Sequence, residues 1–137
     1  MAIEPLTIKI PEEKIEDLRS RLKNTKLAPD FNNLDWRYGT NREYLESFIQ
    51  SWIDYDWSET ENEINSFSNY TATIENLPIH FIYERGEGTN PMPLILSHGW
   101  PWTFWDYEKV IRPLTNPSAF GGNANDAFDI IVPSLPG

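Results

Sequence analysis

Hydrophobic positions change their period half-way along this 137-residue chain. A short apolar alternation over residues 6–10 predicts an edge strand. Pro11, Glu12 and Glu13 then open a helix: proline has no amide to leave unpaired in a first turn, and the carboxylates meet its partial positive charge. Ile15, Leu18 and Leu22 share one face, and this helix is expected to fade by Lys26. After a connection through Ala28, Pro29 and Asp30, Thr40 and Glu43 have the spacing of a capping box. Leu45, Phe48, Ile49 and Trp52 follow as the strongest helical stripe in the chain. Ser58 and Glu61 repeat the capping pattern ahead of a weaker stripe, Ile64 and Phe67.

From Tyr70 the pattern is that of strands. Residues 71–74 and 79–83 are β-rich runs around Glu75, Asn76, Leu77 and Pro78, which predicts a hairpin. A turn-rich connection over 86–91 leads to a continuous apolar run over 93–97, the mark of a strand buried on both faces. Residues 102–114 carry a helical stripe through Phe104, Tyr107, Val110, Ile111 and Leu114. A loop rich in Gly, Asn and Pro over 115–126 precedes a second buried strand at 128–132. Hairpin, strand, helix and strand are how a mixed sheet with parallel inner strands begins. The expected fold is therefore α/β, with an amino-terminal helical segment (1–69) followed by the first strands of a mixed sheet (70–137). The sheet is expected to be truncated, only half built at Gly137.

Composition narrows the partners. A net charge of −10 repels phosphate backbones and anionic lipid headgroups, so no nucleic-acid partner is expected. The absence of cysteine removes disulfides, thiolate metal sites and Cys nucleophiles. The amino terminus lacks a basic start followed by an apolar core, and no apolar run approaches the roughly 18 residues of a membrane span. A soluble, cytoplasmic protein is expected.

The candidate chemistry lies in LILSHGWPWTFWDY, residues 94–107. A loop that leaves the carboxyl end of a buried parallel strand and turns at once into a helix sits where open α/β sheets bind ligands, with amides unpaired. Such donors can hold an oxyanion. Gly99 is expected to adopt a backbone angle denied to other residues, and Pro101 restricts Trp100 and favours a cis Trp100–Pro101 bond.

At this point the residues resemble a known family. HGWP at 98–101, preceded by LPIHFIYE and followed by GGNANDAFDIIVPSLPG, is similar to the amino-terminal part of microsomal-type epoxide hydrolases of the α/β-hydrolase superfamily. TIKIPEEKIEDLRSRLKNTKL resembles that family's first segment, YDWSETENEINSF its third helix and DAFDIIVPSLPG its fourth strand, so the resemblance covers essentially all of the chain. It implies that Trp100 contributes a backbone N–H to the oxyanion hole, with His98, Gly99 and Pro101 shaping the loop. It also implies a complete form that opens small-molecule epoxides to vicinal diols through an Asp-ester intermediate, without metal or organic cofactor. The nucleophile, the acid, the base and the lid tyrosines would all follow Gly137. One departure is Trp102, where family members commonly have glycine; it alters the backbone path and the pocket size.

The remaining candidates are weaker. No G-x-D-x-G or G-x-S-x-G elbow occurs, and His80 in the hairpin and His98 in the loop are both read as structural. Glu12, Glu13, Glu59, Glu61 and Glu63 are read as a solvated surface, not metal ligands. Asp126 and Asp129 lack a partner base or nucleophile, and the aromatic run Trp100, Trp102, Phe104, Trp105 and Tyr107 reads as core or pocket wall. Two other readings stay open: a different α/β-hydrolase chemistry, esterase or dehalogenase, and a noncatalytic truncated or partner-binding chain. In every case the chain by itself is expected to be inactive, and to self-associate or to need a carboxyl-terminal half.

Overall fold

The computed structural model describes residues 2–136, which form two compact units, one of residues 9–61 and one that pairs residues 2–8 with residues 62–136. In the first unit, α1 (Glu12–Lys23) begins directly after Pro11 and carries Glu12 and Glu13 in its first turn. It ends at Lys23, because Asn24 turns its backbone N–H and its side-chain amide (2.8 Å) back onto the Ser20 carbonyl. Helix α2 (Arg42–Ile53) is capped by Asn41 and not by Thr40. The Asn41 carboxamide accepts from the Tyr44 amide at 2.9 Å and donates to the Asn33 carbonyl at 3.1 Å, two tasks that a threonine hydroxyl one residue earlier does not reach. Leu45, Ile49 and Ile53 are half-buried, and Arg19 Nε of α1 donates to the Ile53 carbonyl at 3.2 Å.

Helix α3 (Trp57–Asn65) also starts one residue before the expected cap. The Asp56 carboxylate accepts from both the amide (2.9 Å) and the hydroxyl (2.7 Å) of Ser58. Those hydrogen bonds, the hydroxyl's foremost, hold its carboxyl below the usual value of 3.8. Glu61 is engaged elsewhere, accepting from the Ile10 amide at 2.7 Å.

The second unit is built on a five-stranded sheet ordered β1-β2-β3-β5-β4. The edge strand β1 (Ile3–Pro5) lies earlier than residues 6–10 and pairs antiparallel with β2 (Asn69–Ile74). At Ile8 the Asn65 carboxamide replaces the ladder, accepting from the Ile8 amide (2.9 Å) and donating to its carbonyl (2.7 Å). The hairpin to β3 (Leu77–Glu84) turns on only two residues, Glu75 and Asn76, at φ of 49° and 66°. Two left-handed residues give a turn whose twist matches the strands, which is why Leu77 and Pro78 already belong to β3.

Strand β5 (Phe128–Pro133) pairs antiparallel with β3 and parallel with β4 (Met92–Ile95). Ile82, Ile130 and Val132 are fully buried on one face, against Ile111 of α4 (Glu108–Thr115) and Phe67. Arg112 of α4 lies 4.7 Å over the Phe67 ring and donates to the Ser66 carbonyl at 3.2 Å. Contrary to the expectation from their apolarity, residues 93–97 are not buried on both faces. In this chain β4 is an edge strand; Leu94 faces the core, while Met92 and Ile95 are 65% and 64% exposed. Of the segment 102–114, only α4 is α-helical. It is preceded by a 3-10 turn, Phe104–Tyr107, whose capping box is Thr103 and Asp106. Among the described residues no helix is long and apolar enough to cross a membrane.

Candidate active-site loop

The carboxyl edge shared by β4 and β5 carries the loop that joins β4 to α4. The Leu96 amide donates to Ile131 at 2.9 Å and closes the ladder. Ser97 then turns its carbonyl to the hydroxyl of Tyr107, 2.8 Å away. His98 Nε2 accepts from the Leu135 amide at 3.2 Å, which places the ring proton on Nδ1, 3.3 Å from the Gly99 carbonyl. The Trp102 amide donates to Gly99 at 2.8 Å, and the Trp100–Pro101 bond inside that turn is cis. Thr103 and Asp106 cap the helical segment reciprocally, at 2.6 Å from the Thr103 amide to Asp106 and 3.2 Å from the Trp105 amide to Thr103.

The loop is thus pinned at Ser97, His98, Trp102 and Thr103, and Trp100 stands between the pins. Its side chain is 94% exposed, and among the described residues its amide has no acceptor. Gly99 plays a different part from the one expected. Its φ is not left-handed, and a Cβ built there meets nothing within 4 Å, so neither strain nor crowding demands glycine. Trp102 is also largely exposed, at the same edge.

His80 has more to do than a strand position suggests. Its Nε2 lies 2.9 Å from Asn69 Oδ1 and its Nδ1 2.7 Å from Ser134 Oγ, and the Ser134 amide donates to the His80 carbonyl at 2.8 Å. Burial holds its pKa below the ordinary 6.5. His80 and His98 therefore fix Ser134 and Leu135, the residues that leave β5. Among the described residues neither meets a carboxylate within hydrogen-bonding reach, as a catalytic base paired with an acid would. Asp129 accepts from the Gly86 amide at 2.8 Å and braces a loop. Among the described residues no cluster of three His, Asp or Glu side chains is placed to hold a metal. The roles of the Tyr107 and Ser134 hydroxyls leave no local signal in the sequence, since each bonds a distant carbonyl or ring; Thr103-x-x-Asp106 does have the spacing of a capping box, which reading 102–114 as a single helical stripe passes over.

The family model for the epoxide hydrolase N terminus matches residues 3–107. The chain belongs to that family. A putative epoxide hydrolase of Stigmatella aurantiaca is 38% identical over 136 residues, covering 98% of this chain and 31% of that protein. Epoxide hydrolase 1 of Oryctolagus cuniculus is 34% identical, with 99% and 31% covered. Among solved structures, Aspergillus niger epoxide hydrolase superposes with a TM-score of 0.82 at 31% identity, covering 99% of this chain and 36% of that one. Bombyx mori juvenile hormone epoxide hydrolase gives 0.83 at 29% identity, with 98% and 36% covered. The sheet and helices are thus the opening portion of an α/β-hydrolase epoxide hydrolase fold, and the chain spans about a third of the length of these relatives.

Proposed function

We propose that this chain supplies the amino-terminal part of an epoxide hydrolase and, within it, the loop that donates the Trp100 amide to an oxyanion. In the complete enzyme an Asp would attack an epoxide carbon of a small-molecule substrate, forming an ester as the ring C–O bond breaks. Water activated by a His–acid pair would then release the vicinal diol. The observation that supports the role of Trp100 is its unpartnered amide at the carboxyl edge of parallel strands, held between four fixed neighbours. An amide without an intramolecular acceptor is free to meet developing negative charge and needs no reorganisation to do so. His98 and Pro101 shape the loop, Gly99 contributes the carbonyl that closes its turn, and Trp102 adds an exposed ring beside it.

The reading keeps residues 1–69 as the family's amino-terminal segment and residues 70–137 as the first part of the hydrolase core. A carboxyl-terminal portion, on the same polypeptide or another, brings the nucleophile, the acid and the base; no cofactor is required. We place the protein in the cytoplasm, which cell fractionation tests. The reaction is tested with styrene oxide. The purified chain forms diol no faster than buffer. When a carboxyl-terminal hydrolase portion restores turnover, Trp100→Pro, which deletes the amide, lowers the rate by about 10² to 10³, and Trp100→Ala, which keeps it, costs far less. Saturable turnover by the chain alone, or equal effects of the two variants, defeats the proposal.

A further inference from the structure

Helix α2 carries two apolar stripes, and the first unit uses only one of them. Leu45, Ile49 and Ile53 are half-buried, whereas Tyr44, Phe48 and Trp52, one helical turn apart, are 52%, 51% and 40% exposed. Their rings form a ladder that continues from Trp36, with centroids 5.0 Å apart for Trp36 and Tyr44, 6.4 Å for Tyr44 and Phe48, and 6.2 Å for Phe48 and Trp52. Ser47 and Ser51 lie between these turns, but their hydroxyls donate back to the Tyr44 (2.8 Å) and Ser47 (3.0 Å) carbonyls. Nearby polar groups are likewise engaged within the helix, Arg42 with Glu46 and Gln50 with Asp54, each at 2.8 Å. The face therefore offers aromatic area whose interleaved serine hydroxyls are already satisfied, the character of a surface meant to be dry at its centre.

We propose that the Tyr44, Phe48 and Trp52 ladder is a docking surface for the carboxyl-terminal portion of the hydrolase, meeting an uncharged, apolar patch there. The ladder lies inside the residues matched by the family, and the relatives carry more than twice this chain's length outside the matched stretch. An acidic chain of net charge −10 argues against an anionic lipid surface as the occupant. The inference rests on the reading above, that such a portion exists.

The test co-expresses this chain, tagged, with the part of the Stigmatella aurantiaca relative that follows its matched stretch, as a separate polypeptide. Equimolar copurification and a single sedimenting complex are expected. Phe48→Glu with Trp52→Glu lowers the copurified partner by about tenfold or more, while Phe48→Leu retains it. The isolated variants keep the circular dichroism and Tm of the unsubstituted chain, because these side chains are exposed. A complex that forms equally well with the Glu variants overturns the docking surface and leaves the hydrolase reading intact. No complex with the unsubstituted chain defeats that reading, and the proposal with it. A dimer of the isolated chain that Phe48→Glu abolishes assigns the ladder to a second copy and also overturns the proposal.

Discussion

Asn69 on β2 accepts a 2.9 Å hydrogen bond from His80 on β3, and the rest of its carboxamide decides which proton is shared. Asn69 Nδ2 donates to the Ile64 (2.9 Å) and Phe67 (2.8 Å) carbonyls, so Oδ1 must accept. Neutral His80 therefore carries its proton on Nε2 and accepts the Ser134 hydroxyl at Nδ1. Phe104 packs edge-on against the ring at 4.7 Å.

Burial depresses the His80 pKa, so the unfolded chain binds a proton near 6.5 while the folded chain resists it. In that window the unfolded state holds more protons, and stability falls as pH drops through about 6.5 toward the folded value. Thermal melts should show Tm declining from about pH 7.5 to 5.5, with a flatter profile for His80→Gln.

Asn41→Ala should destabilise the chain by about 1 to 2 kcal/mol, since it loses the α2 cap and strands the Asn33 carbonyl. Thr40→Ala, which removes neither bond, should be near neutral in urea titrations. Equal losses would return the cap to Thr40.

Gly86 is the most crowded of the described glycines. A Cβ there would lie 2.6 Å from Pro91 Cβ and 2.7 Å from the Phe128 carbonyl oxygen, so Gly86→Ala should cost about 1 to 3 kcal/mol. Gly99→Ala, with nothing within 4 Å, should leave Tm almost unchanged.

At the hairpin, Asn76 is left-handed at φ 66°. Asn76→Val should cost about 1 to 2 kcal/mol, and Asn76→Gly should be tolerated or mildly stabilising. Chemical denaturation of the two variants separates them.

Sequence carried the parts of this fold that depend on local periodicity. Pro11 with Glu12 and Glu13 marks the α1 start, the apolar run of β5 marks a central strand, and HGWP marks the loop. It was less informative where a side chain chooses among backbone partners. Asn41, not Thr40, caps α2 because Asn33 is folded beneath it, and Asp56 displaces Ser58 as a cap for a similar reason. Burial of β4 was overestimated because apolarity reports what a strand is suited to meet, whereas exposure of Met92 and Ile95 reports what this chain brings to it. In the loop, His98, Trp100 and Pro101 were legible from the motif; Tyr107 and Ser134, bonded across 10 and 54 positions, were not.

Strand β4 has a consequence for how the chain behaves in concentrated solution. Met92 and Leu96 both donate inward to β5, so the alternate residues, Pro93 and Ile95, face the free edge. Proline has no N–H to offer, which leaves Ile95 as the sole outward donor of a four-residue strand. Growth of cross-β fibrils needs a regular row of donors and acceptors, and here every second outward position is blank. Pro93 thus acts as a gatekeeper against strand-by-strand aggregation at the edge where the fold would otherwise be most exposed to it.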